Sequence, residues 1–176
     1  MPSLYTFSEY SPAWPRAFAE EADRLRALAG DEVVVIHHIG STSVPGLAAK
    51  PIIDLLPLVH AIERVEALTP SLTAAGYVAW GEYGLPGRRL FTKDQGALRT
   101  HNVHVYQADN PEVERHLAFC AYLRQHAGVR AEYAALKRAV YAQHPADIAG
   151  YNLGKDAWIK RVEQEAVAWY RQQTPR

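Results

Sequence analysis

One stretch concentrates the side chains able to do chemistry: His38-Ile39-Gly40-Ser41-Thr42-Ser43-Val44-Pro45-Gly46-Leu47-Ala48-Ala49-Lys50-Pro51-Ile52-Ile53-Asp54. Glycine at position 40 lets backbone N–H groups approach an anion, and Ser41 and Thr42 add hydroxyl donors. Lys50 adds a point charge. Asp54 stands inside an apolar run, between Ile53 and Leu55. A carboxylate there is too costly to leave alone, so it must be paired, bind a metal or face a cleft. The pattern points to a phosphate seat beside one carboxylate. The plainer alternative is a structural turn with Asp54 capping a loop. The familiar phosphate and metal motifs are absent: there is no P-loop, no Gly-x-Gly-x-x-Gly, no Cys-x-x-Cys and no His-Glu-x-x-His.

Other candidates lie downstream. On a strand from His101 to Tyr106, Asn102 and His104 share one face and His101 takes the other. His104 is therefore the preferred site histidine. Arg88 and Arg89 alternate faces, so one can enter a cleft and offset phosphate charge. Lys155, one turn after Tyr151, can reach a phosphate from the last helix. Glu82 is a candidate second acid, with a solvated loop residue as its plainer reading. Cys120 sits on an apolar helix face and reads as core.

The elements that must position these residues follow from periodicity and punctuation. Ser11-Pro12 opens a helix whose apolar stripe is Phe18, Ala22, Leu25 and Leu28, stopped at Gly30. Val33–Ile36 and Pro51–Val59 read as buried strands, with a loop and a short helical turn from Gly40 to Lys50. A helix from Ile62 to Ala75 ends at Gly76, and strands follow at 77–80, 88–93 and 101–106. From Asn110 the period is helical: one helix to about His126 with a break at Gly128, a second around Tyr133–Tyr141, and a third from Ile148 to about Gln172. This is an α+β domain with a helical C-terminal third.

Composition excludes some roles. The 176 residues fit one domain, and 48% hydrophobic with 22% charged residues is ordinary for a globular chain. Lys+Arg 19 balances Asp+Glu 19, which argues against a protein built mainly to grip nucleic acid. A single cysteine cannot form an internal disulfide, the start shows no signal peptide, and no apolar run has membrane length; a cytoplasmic protein is expected.

The 38–54 run resembles the signature of the GrpB family, placed in the nucleotidyltransferase (polymerase-β-like) superfamily. Tyr10–Trp14, Gly87–Arg89, His101–Val105, Phe119–Leu136 and Tyr151–Ile159 extend the resemblance over nearly the whole chain. It implies a minimal nucleotidyltransferase fold: a short mixed sheet with helices on one face, an open cleft, and C-terminal helices closing it. The chain is then a single domain, its mixed part about 1–108 and its helical part about 109–176. The implied activity is metal-dependent transfer of a nucleotidyl group from a nucleoside triphosphate to an acceptor. Gly40, Ser41, Thr42, Lys50, Arg88, Arg89 and Lys155 would hold the phosphates. Asp54, Ser41 and His104 would be catalytic, and Asp54 and His104 would hold a divalent cation, Mg or Mn. The sequence departs from the superfamily pattern in one respect. A second acid is expected two residues after Asp54, where Leu56 stands, and His104 stands where a third is expected. So few acids hold one cation at most. The alternative is a non-catalytic domain binding a nucleotide or another phosphorylated small molecule. Some relatives are fused to dephospho-CoA kinase, which suggests a role near coenzyme A metabolism.

Overall fold

A computed structural model of the protein describes residues 5–173. The elements are α1 (Trp14–Ala29), β1 (Val33–Ile39), β2 (Ile53–Val59), α2 (Val65–Ala74), β3 (Tyr77–Ala79), β4 (Arg88–Gln95), β5 (Leu98–Gln107), α3 (Glu112–Gln125), α4 (Ala127–Gln143) and α5 (Ile148–Gln173). The five strands form one mixed sheet in the order β1-β2-β5-β4-β3. The β2–β5 pair is parallel and the other neighbours are antiparallel. Among the described residues no helix is long and apolar enough to cross a membrane.

Alternation along β2 and β5 divides the sheet into two buried faces. Ile53, Leu55, Val59, Val103 and Val105 pack with Trp14, Ala22 and Leu25 of α1 and Val65 and Leu72 of α2. The opposite residues Leu56, Leu58 and Tyr106 pack with Val113 and Cys120 of α3. Each fully buried Leu or Val contributes about 1.5–3 kcal/mol relative to exposure. Asp54, Asn102 and His104 belong to the second face, where α3 covers the middle of the sheet and leaves its upper end open.

Several boundaries differ from those read in the sequence, for local reasons. Helix α1 starts at Trp14, with Pro15 rather than Pro12 in its first turn. β2 starts at Ile53 because the Ile52 N–H bonds Lys50 O at 2.8 Å, a tight turn around Pro51. Asp54 is thus the second residue of its strand. The β4–β5 hairpin runs further, to Gln95 and from Leu98, and turns at Gly96 with φ +62°. α4 starts at Ala127 and runs through Gly128; the break between the helices falls at His126. A glycine in the first helical turn costs little, so it does not stop the helix.

Candidate functional site

The site starts at the end of β1. Gly40 has φ +70° and ψ −175°, a conformation that only glycine adopts readily. It turns the chain into one short helical turn, Ser41–Ser43. A Cβ added at Gly40 would stand 2.4 Å from Asp54 Oδ2, so glycine is needed for space as well as for backbone angle. Ser43 Oγ donates to Gly40 O at 2.7 Å, and Arg124 of α3 donates to Ser43 O at 3.1 and 3.0 Å. His38 lies 3.0 Å from Thr42 Oγ1 and stacks on Phe18 at 4.6 Å. Burial pushes the His38 imidazole down to about 4, so the ring is neutral and serves as a strut.

Asp54 pairs with Ile39 on one side and Asn102 on the other. Its Oδ1 accepts from Asn102 Nδ2 at 2.9 Å and lies 3.5 Å from His104 Nε2. Burial alone would raise its carboxyl; His104, Asn102 and Lys50 outweigh that and hold it below the usual carboxylate range. Asp54 is therefore ionised. His104 Nδ1 is buried with no hydrogen-bond partner among the described residues.

Asp54 opens onto a cleft of about 330 Å³ whose walls include Gly40, Ser41, Lys50, Tyr133, Lys137, Tyr151 and Lys155. Three lysine Nζ atoms converge there. Lys50 Nζ lies 5.2 Å and Lys155 Nζ 4.2 Å from the centre of the Tyr151 ring. Lys137 Nζ lies 4.3 Å from the centre of the Tyr133 ring and donates to Ser41 Oγ at 2.9 Å. Among the described residues none of the three has a carboxylate within salt-bridge distance, although the rest of the molecule is laced with ion pairs. Aromatic faces hold these cations in place of carboxylates. Burial and mutual repulsion lower Lys137 to about 6 and Lys155 to about 7, and burial lowers Lys50. Lys50 and Lys155 are thus left to meet an anionic ligand, which would relieve the repulsion, while burial favours the neutral amine of Lys137.

The structure brings together Gly40, Ser41, Lys50, Asp54, His104 and Lys155. It does not bring Arg88 and Arg89 to the cleft. Arg88 is 7% exposed and donates to Glu82 O at 3.1 Å and Tyr83 O at 2.7 Å, bracing the 81–87 loop. Arg89, on the other face, pairs with Glu66 at 2.5 Å. Glu82 accepts from the Gly87 N–H at 2.7 Å in that same loop and supplies no acid to the cleft. Thr42 reaches the cleft wall, but its hydroxyl donates to Ile52 O at 3.3 Å and meets His38. Leu56 shares the face of Asp54, yet it is 0% exposed in the apolar cluster under α3. Lys137 was absent from the sequence reading. Its signal was its place four residues after Tyr133 and three before Val140, a lysine on an apolar stripe.

The donor set does not fit a resident divalent cation. Among the described residues Asp54 is the lone carboxylate lining the cleft, its Oδ1 is already engaged by Asn102 and His104, and the other charged side chains of the lining are lysines. Among the described residues no three His, Cys, Asp or Glu side chains converge as ligands.

The fold has nucleotidyltransferase-like structural neighbours. The chain has the fold of the poly(U) polymerase Cid1 in complex with its product ApU (TM-score 0.54, 14% identity, 84% of this chain and 48% of that one). It also shares the fold of GLD-2 in the GLD-2/RNP-8 complex (TM-score 0.57, 12% identity, 84% and 58%). Residues 5–165 match the family model described as GrpB protein, and the chain belongs to the GrpB family. The conserved protein GrpB from Enterococcus faecalis is similar throughout: TM-score 0.90, 46% identity, 94% of this chain and 99% of that one. UPF0157 protein YqkA of Bacillus subtilis is 49% identical over 160 residues, 91% of this chain and 46% of its own. A dephospho-CoA kinase of Mycolicibacterium paratuberculosis is 27% identical over 184 residues, 90% of this chain and 45% of its own. The chain thus spans about half the length of these two relatives.

Proposed function

We propose that the cleft binds a nucleoside triphosphate by its phosphates and transfers the nucleotidyl group to an acceptor. One observation carries the reading: three lysine side chains held on tyrosine faces, without carboxylate partners among the described residues, surround one ionised carboxylate beside the Gly40–Ser41 turn. A polyphosphate supplies the negative charge that this arrangement lacks. Lys50 and Lys155 hold the phosphates and offset the charge that builds on the leaving pyrophosphate. Asp54 accepts the proton of an attacking hydroxyl placed against it. Likeness of fold to nucleotidyltransferases supports the class of reaction, and fold alone does not assign it.

The test combines calorimetry and pyrophosphate release over the four nucleoside triphosphates, with and without magnesium or manganese. Binding is expected, weakened about ten- to a hundredfold in Lys155→Met, as for a lost charge-assisted hydrogen bond of about 1.5–3 kcal/mol. Asp54→Asn is expected to stop transfer to the acceptor, and with it repeated turnover, while the nucleotide still binds. Affinity unchanged by Lys155→Met would place the phosphates elsewhere. Binding without turnover under every cation would leave a nucleotide-binding domain. The match to a dephospho-CoA kinase favours one specific form of that second reading, so dephospho-coenzyme A belongs in the panel.

A further inference from the structure

Ser41 is placed unlike a simple phosphate-binding serine. Its Oγ is 2.9 Å from Lys137 Nζ, which lies 4.3 Å from the centre of the Tyr133 ring. Lys137 is 1% exposed and has no carboxylate partner among the described residues, so nothing pins its proton. Lys50 and Lys155, on the Tyr151 side of the cleft, are only partly buried and can meet a ligand directly. The turn at Gly40 presents Ser41 at the cleft wall beside both of them. A serine hydroxyl on a tight glycine turn, hydrogen-bonded to a buried amine, is the arrangement that activates a nucleophile.

From this geometry we infer that Ser41 is a nucleophile served by Lys137, and that nucleotidyl transfer passes through a covalent Ser41–nucleotide ester. The inference rests on the nucleoside triphosphate reading of the cleft. In the first step Ser41 Oγ bonds to the α-phosphorus, and its proton passes to the free amine of Lys137. The bond from the α-phosphorus to the bridging oxygen breaks, and pyrophosphate leaves with that electron pair. Lys50 and Lys155 face the charge that develops. In the second step the acceptor hydroxyl gives its proton to Asp54 and attacks the same phosphorus, and the seryl oxygen leaves and recovers its proton from Lys137.

Intact-protein mass spectrometry after incubation with each nucleoside triphosphate, without acceptor, reads the adduct directly. A mass gain equal to a nucleoside monophosphate is expected, mapping to the peptide that contains Ser41. It is expected to vanish in Ser41→Ala and to form at least tenfold more slowly in Lys137→Met, whose side chain fills the same buried space. Its rate in the native protein should rise with pH as Lys137 loses its proton, and that limb should be missing in Lys137→Met. Calorimetry with an α,β-methylene triphosphate, which cannot release pyrophosphate, separates binding from chemistry, and thermal unfolding reports that both variants are folded. Analogue binding without any adduct, or an adduct mapping to another residue, overturns the covalent step and leaves the binding reading intact. No binding of the analogue by the native protein overturns both.

Discussion

At Gly40 a single hydrogen atom decides the site. Its φ of +70° and the 2.4 Å approach of Asp54 Oδ2 to the space of a Cβ act together. Gly40→Ala is expected to cost about 1–3 kcal/mol through backbone strain and to push the Asp54 carboxylate off Asn102. Chemical denaturation reads the first effect and loss of ligand affinity the second; a variant that binds like native protein would show the close approach to be idle. The lysines make a second prediction, in pH. A lysine whose value is lower in the folded protein than in the unfolded chain costs stability wherever the unfolded chain holds the proton. The cost is complete below about 6 for Lys137 and below about 7 for Lys155, and it fades as pH rises toward the ordinary 10.5. Ligand-free protein should therefore gain stability from these groups as pH rises above neutral. A bound polyphosphate favours the ammonium form of Lys155, so above neutral pH binding takes up protons and affinity falls as pH climbs. Calorimetry in two buffers of different ionisation enthalpy measures that uptake; proton release on binding would contradict it.

Among the elements, α1 is fastened to the far edge of the sheet by a buried charge. Glu21 is 3% exposed, pairs with Lys93 of β4 at 2.7 Å, and accepts from the Tyr77 hydroxyl of β3. Burial opposes the ionised form, and Lys93 and Tyr77 outweigh it, leaving Glu21 below the usual range. Its contribution is thus present above the unfolded carboxylate value and is lost as pH falls through the folded one. Glu21→Ala strands Lys93 and the Tyr77 hydroxyl and should cost about 3–5 kcal/mol in urea unfolding, while Arg16→Ala, an exposed pair with Glu20, should cost under about 1 kcal/mol. The strands and helices were largely legible because β-branched runs and apolar periods follow local rules. The Gly40–Ser41 turn and Asp54 stood out through a local conflict, a carboxylate in an apolar run. Lys50 and Lys155 were legible one by one, but Lys137 and the cluster the three form were not. Lys50, Lys137 and Lys155 are far apart in sequence, and only the docking of α4 and α5 on the 44–47 loop brings them together. For the same reason Arg88 and Arg89 misled: alternation says that two neighbours face opposite ways, but not that a loop carbonyl or Glu66 already holds each one.

For the whole molecule, the question is whether the sheet part and the helical part are separable. Leu56, Leu58 and Tyr106 from the sheet share one apolar cluster with Val113 and Cys120 of α3. Val44 and Leu47, from the loop before β2, share another with Leu123 of α3 and Tyr133 of α4. No surface passes between the halves without opening both clusters, and the cleft needs both: Ser41 and Asp54 from one, Lys137 and Lys155 from the other. Leu56→Asp tests this packing and the missing acid at once. A carboxylate there lies in the apolar cluster of Ile39, Tyr106 and Val113, so it should destabilise the protein by about the 2–5 kcal/mol of a Leu→Ala change. It should not create a metal site. Native-state hydrogen exchange with rising denaturant reads the consequence. Amides of β2, β5 and α4 should open together, in the native protein and at lower denaturant in Leu56→Asp, because one cooperative unit holds them. Separate openings of the sheet and the helices would divide the chain into two folding units. A tighter divalent cation in Leu56→Asp would put this side chain at the cleft surface after all.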